Sequence, residues 1–169
     1  MQHWRFTAAL GAISLIPMFH TPAFADPRAS LDGFEEVPVV STSGEGECRT
    51  RIRSHGTGPR LEVELNYENL EGNVLQAHIH LGQQNVNGGI VLFLCSNLPS
   101  PPPGTPPCPG PHDGTVLRTL TAADVLPVTT QGIAAGEFDE VTDAMRKGKA
   151  YCNVHTDMSP GGEIRGQFR

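Results

Sequence analysis

His78 and His80 stand two residues apart in the run Val74-Leu75-Gln76-Ala77-His78-Ile79-His80-Leu81, and His155 ends the run Tyr151-Cys152-Asn153-Val154-His155. On an extended chain a spacing of two sends both imidazoles to one face of the sheet. Leu75, Ala77, Ile79 and Leu81 take the opposite face, the better candidate for core. In the second run Cys152 and Val154 share one face, while Tyr151, Asn153 and His155 share the other. If the two runs are neighbouring strands, three imidazoles converge on the outer face of a β-barrel. Three neutral imidazoles suit copper or zinc, with a position left open for water or a further ligand. The competing reading is structural: the rings hydrogen-bond across strands to Asn, Glu or backbone groups and hold no metal.

Other residues that could do chemistry read as structural. His55 and His112 sit in Gly- and Pro-rich contexts where no ligand role can be read. Glu163 and Arg165 alternate with Ile164, so both are expected to face outward, where an ion pair is worth about 0–1 kcal/mol. Glu45, Glu47, Glu62 and Glu64 fit solvated strand faces better than paired catalytic carboxylates. No Ser-His-Asp or Cys-His pattern of an activated nucleophile stands out.

The elements that must position these side chains are strands. Apolar and polar residues alternate without fault through Leu61-Glu62-Val63-Glu64-Leu65-Asn66-Tyr67, as in a half-buried antiparallel strand. Val74–Leu81 repeats the pattern, and after the turn residues Asn85–Gly89 the run Ile90–Cys95 is continuously apolar, as for a strand buried on both faces. Further strands are expected near Ala29–Phe34, Glu47–Arg53, Thr115–Leu120, Ala150–Thr156 and Glu163–Phe168. Such short strands divided by Gly, Pro and Asn turns predict an all-β sandwich or barrel of about eight strands. One short helix is expected near 137–147, where Phe138, Val141 and Met145 share a face and Arg146 and Lys147 sit in the last turn. Thr121-Ala122-Ala123-Asp124 resembles a capped helix start that Pro127 soon stops.

The first residues read as a secretory signal, residues 1–25. Phe6–Met18 is mostly apolar, and Ala23-Phe24-Ala25 fits a small-x-small cleavage site. Residues 26–169 then form a single domain, exported to the periplasm or the extracellular space and with no membrane insertion after cleavage. A formal net charge of −6, with Lys and Arg scattered, leaves no footprint for nucleic acid or an anionic membrane. All 4 cysteines fall after the leader. In an exported chain they read as two disulfides. Cys95 and Cys108 bracket a Pro-rich loop, 96–107, and a clip at its base stabilises by roughly 3 kcal/mol. That pairing leaves Cys48 with Cys152, for which free buried thiols are the alternative.

Two stretches resemble the CHRD (chordin-type) domain family. Ala77-His78-Ile79-His80-Leu81-Gly82 with Val86–Val91 is similar to its central motif. Gly148–Thr156 with Pro160-Gly161-Gly162-Glu163-Ile164-Arg165-Gly166-Gln167 is similar to its C-terminal motif, and Glu35-Glu36-Val37-Pro38 fits its opening. The resemblance implies a Greek-key immunoglobulin-like or superoxide-dismutase-like fold, and implies no single activity. Copper–zinc superoxide dismutases carry a similar His-x-His pair outside their barrel. This chain shows neither a bridging histidine nor a histidine-rich zinc loop, which sets dismutation aside. The expected function is therefore a non-enzymatic binding module with a copper or zinc site at His78, His80 and His155. The alternatives are a scaffold that binds an extracellular or periplasmic protein through loops such as 96–107, and a metal-dependent redox enzyme.

Overall fold

A computed structural model describes residues 25–54 and 58–169, with Met1 and Gly56. The expected leader falls almost wholly outside these residues, and so does His55. Strands form where the alternation lies: β1 Arg28–Asp32, β2 Glu45–Arg53, β3 Arg60–Glu68, β4 Val74–Leu81, β5 Gly89–Ser96, β6 Gly114–Leu120, β7 Ala150–Thr156 and β8 Ile164–Gln167. They make one 8-stranded antiparallel sheet in the order β5-β4-β7-β8-β1-β2-β3-β6. The sheet curls into a nearly closed barrel, and its two edges, β5 and β6, approach each other across the remaining seam. Taken across that seam, β4, β5 and β6 run consecutively and β7 returns beside β4, which is a Greek key.

The inward faces fill the barrel with Leu31, Leu61, Val63, Leu65, Ala77, Ile79, Leu92, Leu94, Val154 and Ile164. Helix α1, Phe138–Arg146, packs against β7 with Phe138, Val141 and Met145 buried, as its 3.6-residue periodicity requires. Among the described residues no helix is long and apolar enough to cross a membrane.

Four local expectations change. Strand β1 stops at Asp32 instead of running to Phe34, because the Asp32 carboxylate accepts hydrogen bonds from the amides of Phe34 and Glu35 and turns the chain into a short 3-10 turn. Leu75 leaves the core face, because one extra residue of β4 between Val74 and Gln76 makes a bulge against β7 and hands the core position to Val74. The segment at Thr121 makes only a 3-10 turn, Ala122–Asp124, with the Asp124 carboxylate accepting from the Thr121 amide. The loop 96–107 folds back instead of projecting freely. Cys95 and Cys108 are bridged, the Ser96 amide donates to the Pro106 carbonyl, and Arg118 from β6 donates to the Gly104 carbonyl.

The second expected bridge is absent. Cys48 on β2 and Cys152 on β7 are free thiols, both fully buried inside the barrel and near each other. That contact and burial push the Cys48 thiol well above its ordinary range, so it is inert as a nucleophile.

Candidate metal centre

β4 and β7 are neighbours, in a register that sets Gln76 opposite His155, His78 opposite Asn153 and His80 opposite Tyr151. The histidines therefore share one face, and Ala77, Ile79, Cys152 and Val154 share the other, inside the barrel. Ring centroids lie 4.9 Å apart for His78 and His155, 5.4 Å for His78 and His80, and 6.0 Å for His80 and His155. Each ring can offer one nitrogen such that all three lie within 4.8 Å of one another. A tetrahedral metal at about 2.0–2.1 Å from each nitrogen needs them roughly 3.4 Å apart, so small side-chain rotations would close the shell.

This face is outer only in topology. His78 is 0% exposed and His80 and His155 are each 7% exposed, because the loops around residues 33–38, 82–88 and 157–162 fold over the sheet. Cover by loops also overturns the outward reading of Glu163 and Arg165, which are buried and do not pair with each other: Arg165 lies under the 82–88 loop and Glu163 against Thr42 and the Glu71–Gly72 backbone. Arg165 donates to the Asn87 side chain and to the Gln83 and Val86 carbonyls, pinning the 82–88 loop, and its guanidinium lies 3.5 Å from the Tyr151 ring centroid. Tyr151 in turn stacks on His80 at 4.7 Å and accepts a hydrogen bond from the Gly88 amide.

The hydrogen bonds of the histidines fix their chemistry. His80 Nδ1 lies 3.0 Å from the Gly88 carbonyl, and His155 Nδ1 lies 3.0 Å from the Pro160 carbonyl. A carbonyl only accepts, so in the neutral ring Nδ1 carries the proton and Nε2 carries the lone pair. Among the described residues both Nε2 atoms are buried without a partner, and both nitrogens of His78 are too. Backbone carbonyls that orient the far nitrogen of a ring are the usual outer support of a metal-ligating histidine. Burial lowers His78 to a pKa of about 2 and His80 to about 4, and lowers His155 as well. The rings are then neutral near pH 7, the form that binds metal.

Two further buried residues belong to this face and are not legible as site residues from spacing. Asn153, 3% exposed, sits between His78 and Arg165 across β4, β7 and β8. Glu36, 4% exposed, reaches over Asn153 from the loop after β1. Asn153 was placeable on the histidine face by alternation. Glu36 lies in irregular backbone, where no period marks it.

The remaining sequence candidates fall elsewhere. The His112 ring nitrogen Nδ1 donates to the Leu70 carbonyl at 2.9 Å and staples a loop. Glu47 pairs with Arg49, and Glu62 with Arg60, on partly exposed strand faces. Residues 28–168 match the family model of the CHRD domain. No curated protein and no solved structure matches the chain.

Proposed function

The chain belongs to the CHRD domain family, and from that premise and the histidine geometry we propose that it is an exported binding module whose His78, His80 and His155 hold one copper or zinc ion. The observation that carries this reading is the set of four unpartnered nitrogens on three buried rings, two of them oriented by backbone carbonyls. A buried polar group without a partner costs about 1–3 kcal/mol. Histidines kept only for stability would be expected to spend those nitrogens on hydrogen bonds. A soft-to-borderline divalent ion is the ligand that accepts three neutral imidazole lone pairs at once.

Calorimetric titration of the protein with zinc and with copper(II) tests the reading against a His78→Ala/His80→Ala double variant that retains the β-sheet circular dichroism. Sub-micromolar binding at one equivalent, lost in the folded double variant, supports it. Equal binding by both proteins, or none by either, rejects it and leaves a protein partner as the role of the domain.

A further inference from the structure

Seven buried side-chain polar atoms lack a partner among the described residues: Glu36 Oε1, His78 Nδ1 and Nε2, His80 Nε2, Asn153 Oδ1, His155 Nε2 and Gln167 Oε1. Their kinds are complementary. The histidine nitrogens include three lone-pair donors for a metal, whereas Glu36 and Asn153 contribute oxygens that accept hydrogen bonds.

These two oxygens meet at one place. Gly162 has φ 130°, in the region that favours glycine, and a Cβ there would strike Glu36 Oε1 and come within 2.7 Å of Asn153 Oδ1. The missing side chain leaves a small polar cradle. Asn153 faces His78 directly across the strand pair, and His155 lies two residues further along the same face. Pro160, whose carbonyl orients His155, is two residues before Gly162. The cradle and the trio are thus adjoining parts of one buried surface.

We propose that Glu36 and Asn153 hold the non-protein ligand of the metal, a water molecule or another small oxygen donor, in the position the three histidines leave open; this rests on the metal-site reading of the trio. A metal-bound water gives its lone pair to the ion and has two O–H groups left, one for Glu36 Oε1 and one for Asn153 Oδ1. One ion and one water thereby satisfy five of the seven unpartnered atoms. The site is then of the open kind, with three protein ligands and an exchangeable fourth position, and not a closed structural one.

Charge balance points the same way. Arg165, buried and paired across strands with Asn153, has no carboxylate within ion-pair distance among the described residues. Adding a divalent cation nearby raises the need for an anion, and Glu36 is the carboxyl that lies over Asn153. Burial holds Glu36 up at about 7 despite the opposing charge of Arg165, so it is largely protonated at pH 6 and a cation beside it would drive off that proton. His78 and His80, at about 2 and about 4, are already neutral there and release none.

The test is a zinc titration of the protein at pH 6 in two buffers of different ionisation enthalpy, compared with Glu36→Gln and Glu36→Asp. The expected result is that Glu36→Gln remains folded, binds zinc about 10–100-fold more weakly, and releases about one proton fewer per ion. Glu36→Asp, which keeps a carboxylate, should recover the proton release. Unchanged affinity and proton count in Glu36→Gln would overturn the role of Glu36 while leaving the trio standing. Absence of zinc binding by the unaltered protein would overturn both. Should Glu36→Gln fail to fold, Glu36→Asp decides: proton release equal to wild type supports the role, and its loss overturns it.

Discussion

Two buried polar clusters lie close together in this barrel, and they are built on opposite principles. Around Glu163 every acceptor is used: Oε1 accepts from Thr42 Oγ1 and the Glu71 amide, and Oε2 from Thr156 Oγ1 and the Gly72 amide. Burial pushes this carboxyl up, but those donors outweigh it and hold the group below the ordinary carboxylate range. Around the histidines the accounting fails, with buried lone pairs that find no partner among the described residues. The first cluster stabilises the fold. The second costs stability, and a fold retains such a cost where a ligand offsets it.

The comparison can be broken most severely at Glu163. Glu163→Gln keeps the shape but, whichever way the amide is turned, sets an N–H against one backbone amide donor and forces one Thr hydroxyl to turn from donor to acceptor. The expected loss is about 2–5 kcal/mol in denaturant unfolding, with stoichiometric metal binding preserved in whatever fraction folds. A loss under 1 kcal/mol would remove the contrast. Second, zinc or copper at about 100 times its dissociation constant should stabilise the wild type by about 2.7 kcal/mol. Its melting temperature would rise by several degrees, while a His78 variant would not respond.

Third, acid should destabilise the metal-free protein. His78 and His80 have folded-state pKa values of about 2 and about 4, against 6.5 ordinarily, so below pH 6.5 the unfolded chain binds protons that the folded one refuses. Stability therefore falls as pH drops through that window, by about 1.4 kcal/mol per pH unit for each histidine. Glu36, raised from 4.5 to about 7, acts in the opposite sense between those values and offsets one of them. Denaturant melts from pH 6.5 to 4.5 should lose about 1.4 kcal/mol per unit of slope in His78→Leu. Fourth, and smallest, His78→Leu should leave metal-free stability at pH 7 within about 1 kcal/mol of wild type, or raise it, since an unpartnered imidazole between Phe93 and two other rings is replaced by an apolar group. A loss of 3 kcal/mol or more would show that His78 is satisfied after all.

Strands and faces were legible in the sequence because a period of two reports directly on which side a residue takes. It placed His78 and His80 on one face of their strand and His155 on the face of its own strand opposite Cys152 and Val154. That the two strands are neighbours comes from the fold, and Cys48 was matched with Cys152 by elimination alone, which did not decide whether they bond. The same period says nothing about what lies on top of that face. Glu163 and Arg165 alternate as surface residues do, and only long-range coverage by loops buries them. Glu36 was readable as part of a family motif, but its reach over Asn153 depends on how an irregular loop crosses the sheet. The bulge at Leu75 was hidden for a related reason, since pairing register belongs to two strands and not to one.

X-ray absorption of the zinc- or copper-loaded protein tests the central claim most directly. The account predicts a nitrogen shell at about 2.0–2.1 Å with the outer-shell scattering of three imidazole rings, reduced to two or lost in His78→Leu. A shell without imidazole scattering, or a spectrum unchanged in His78→Leu, would contradict it.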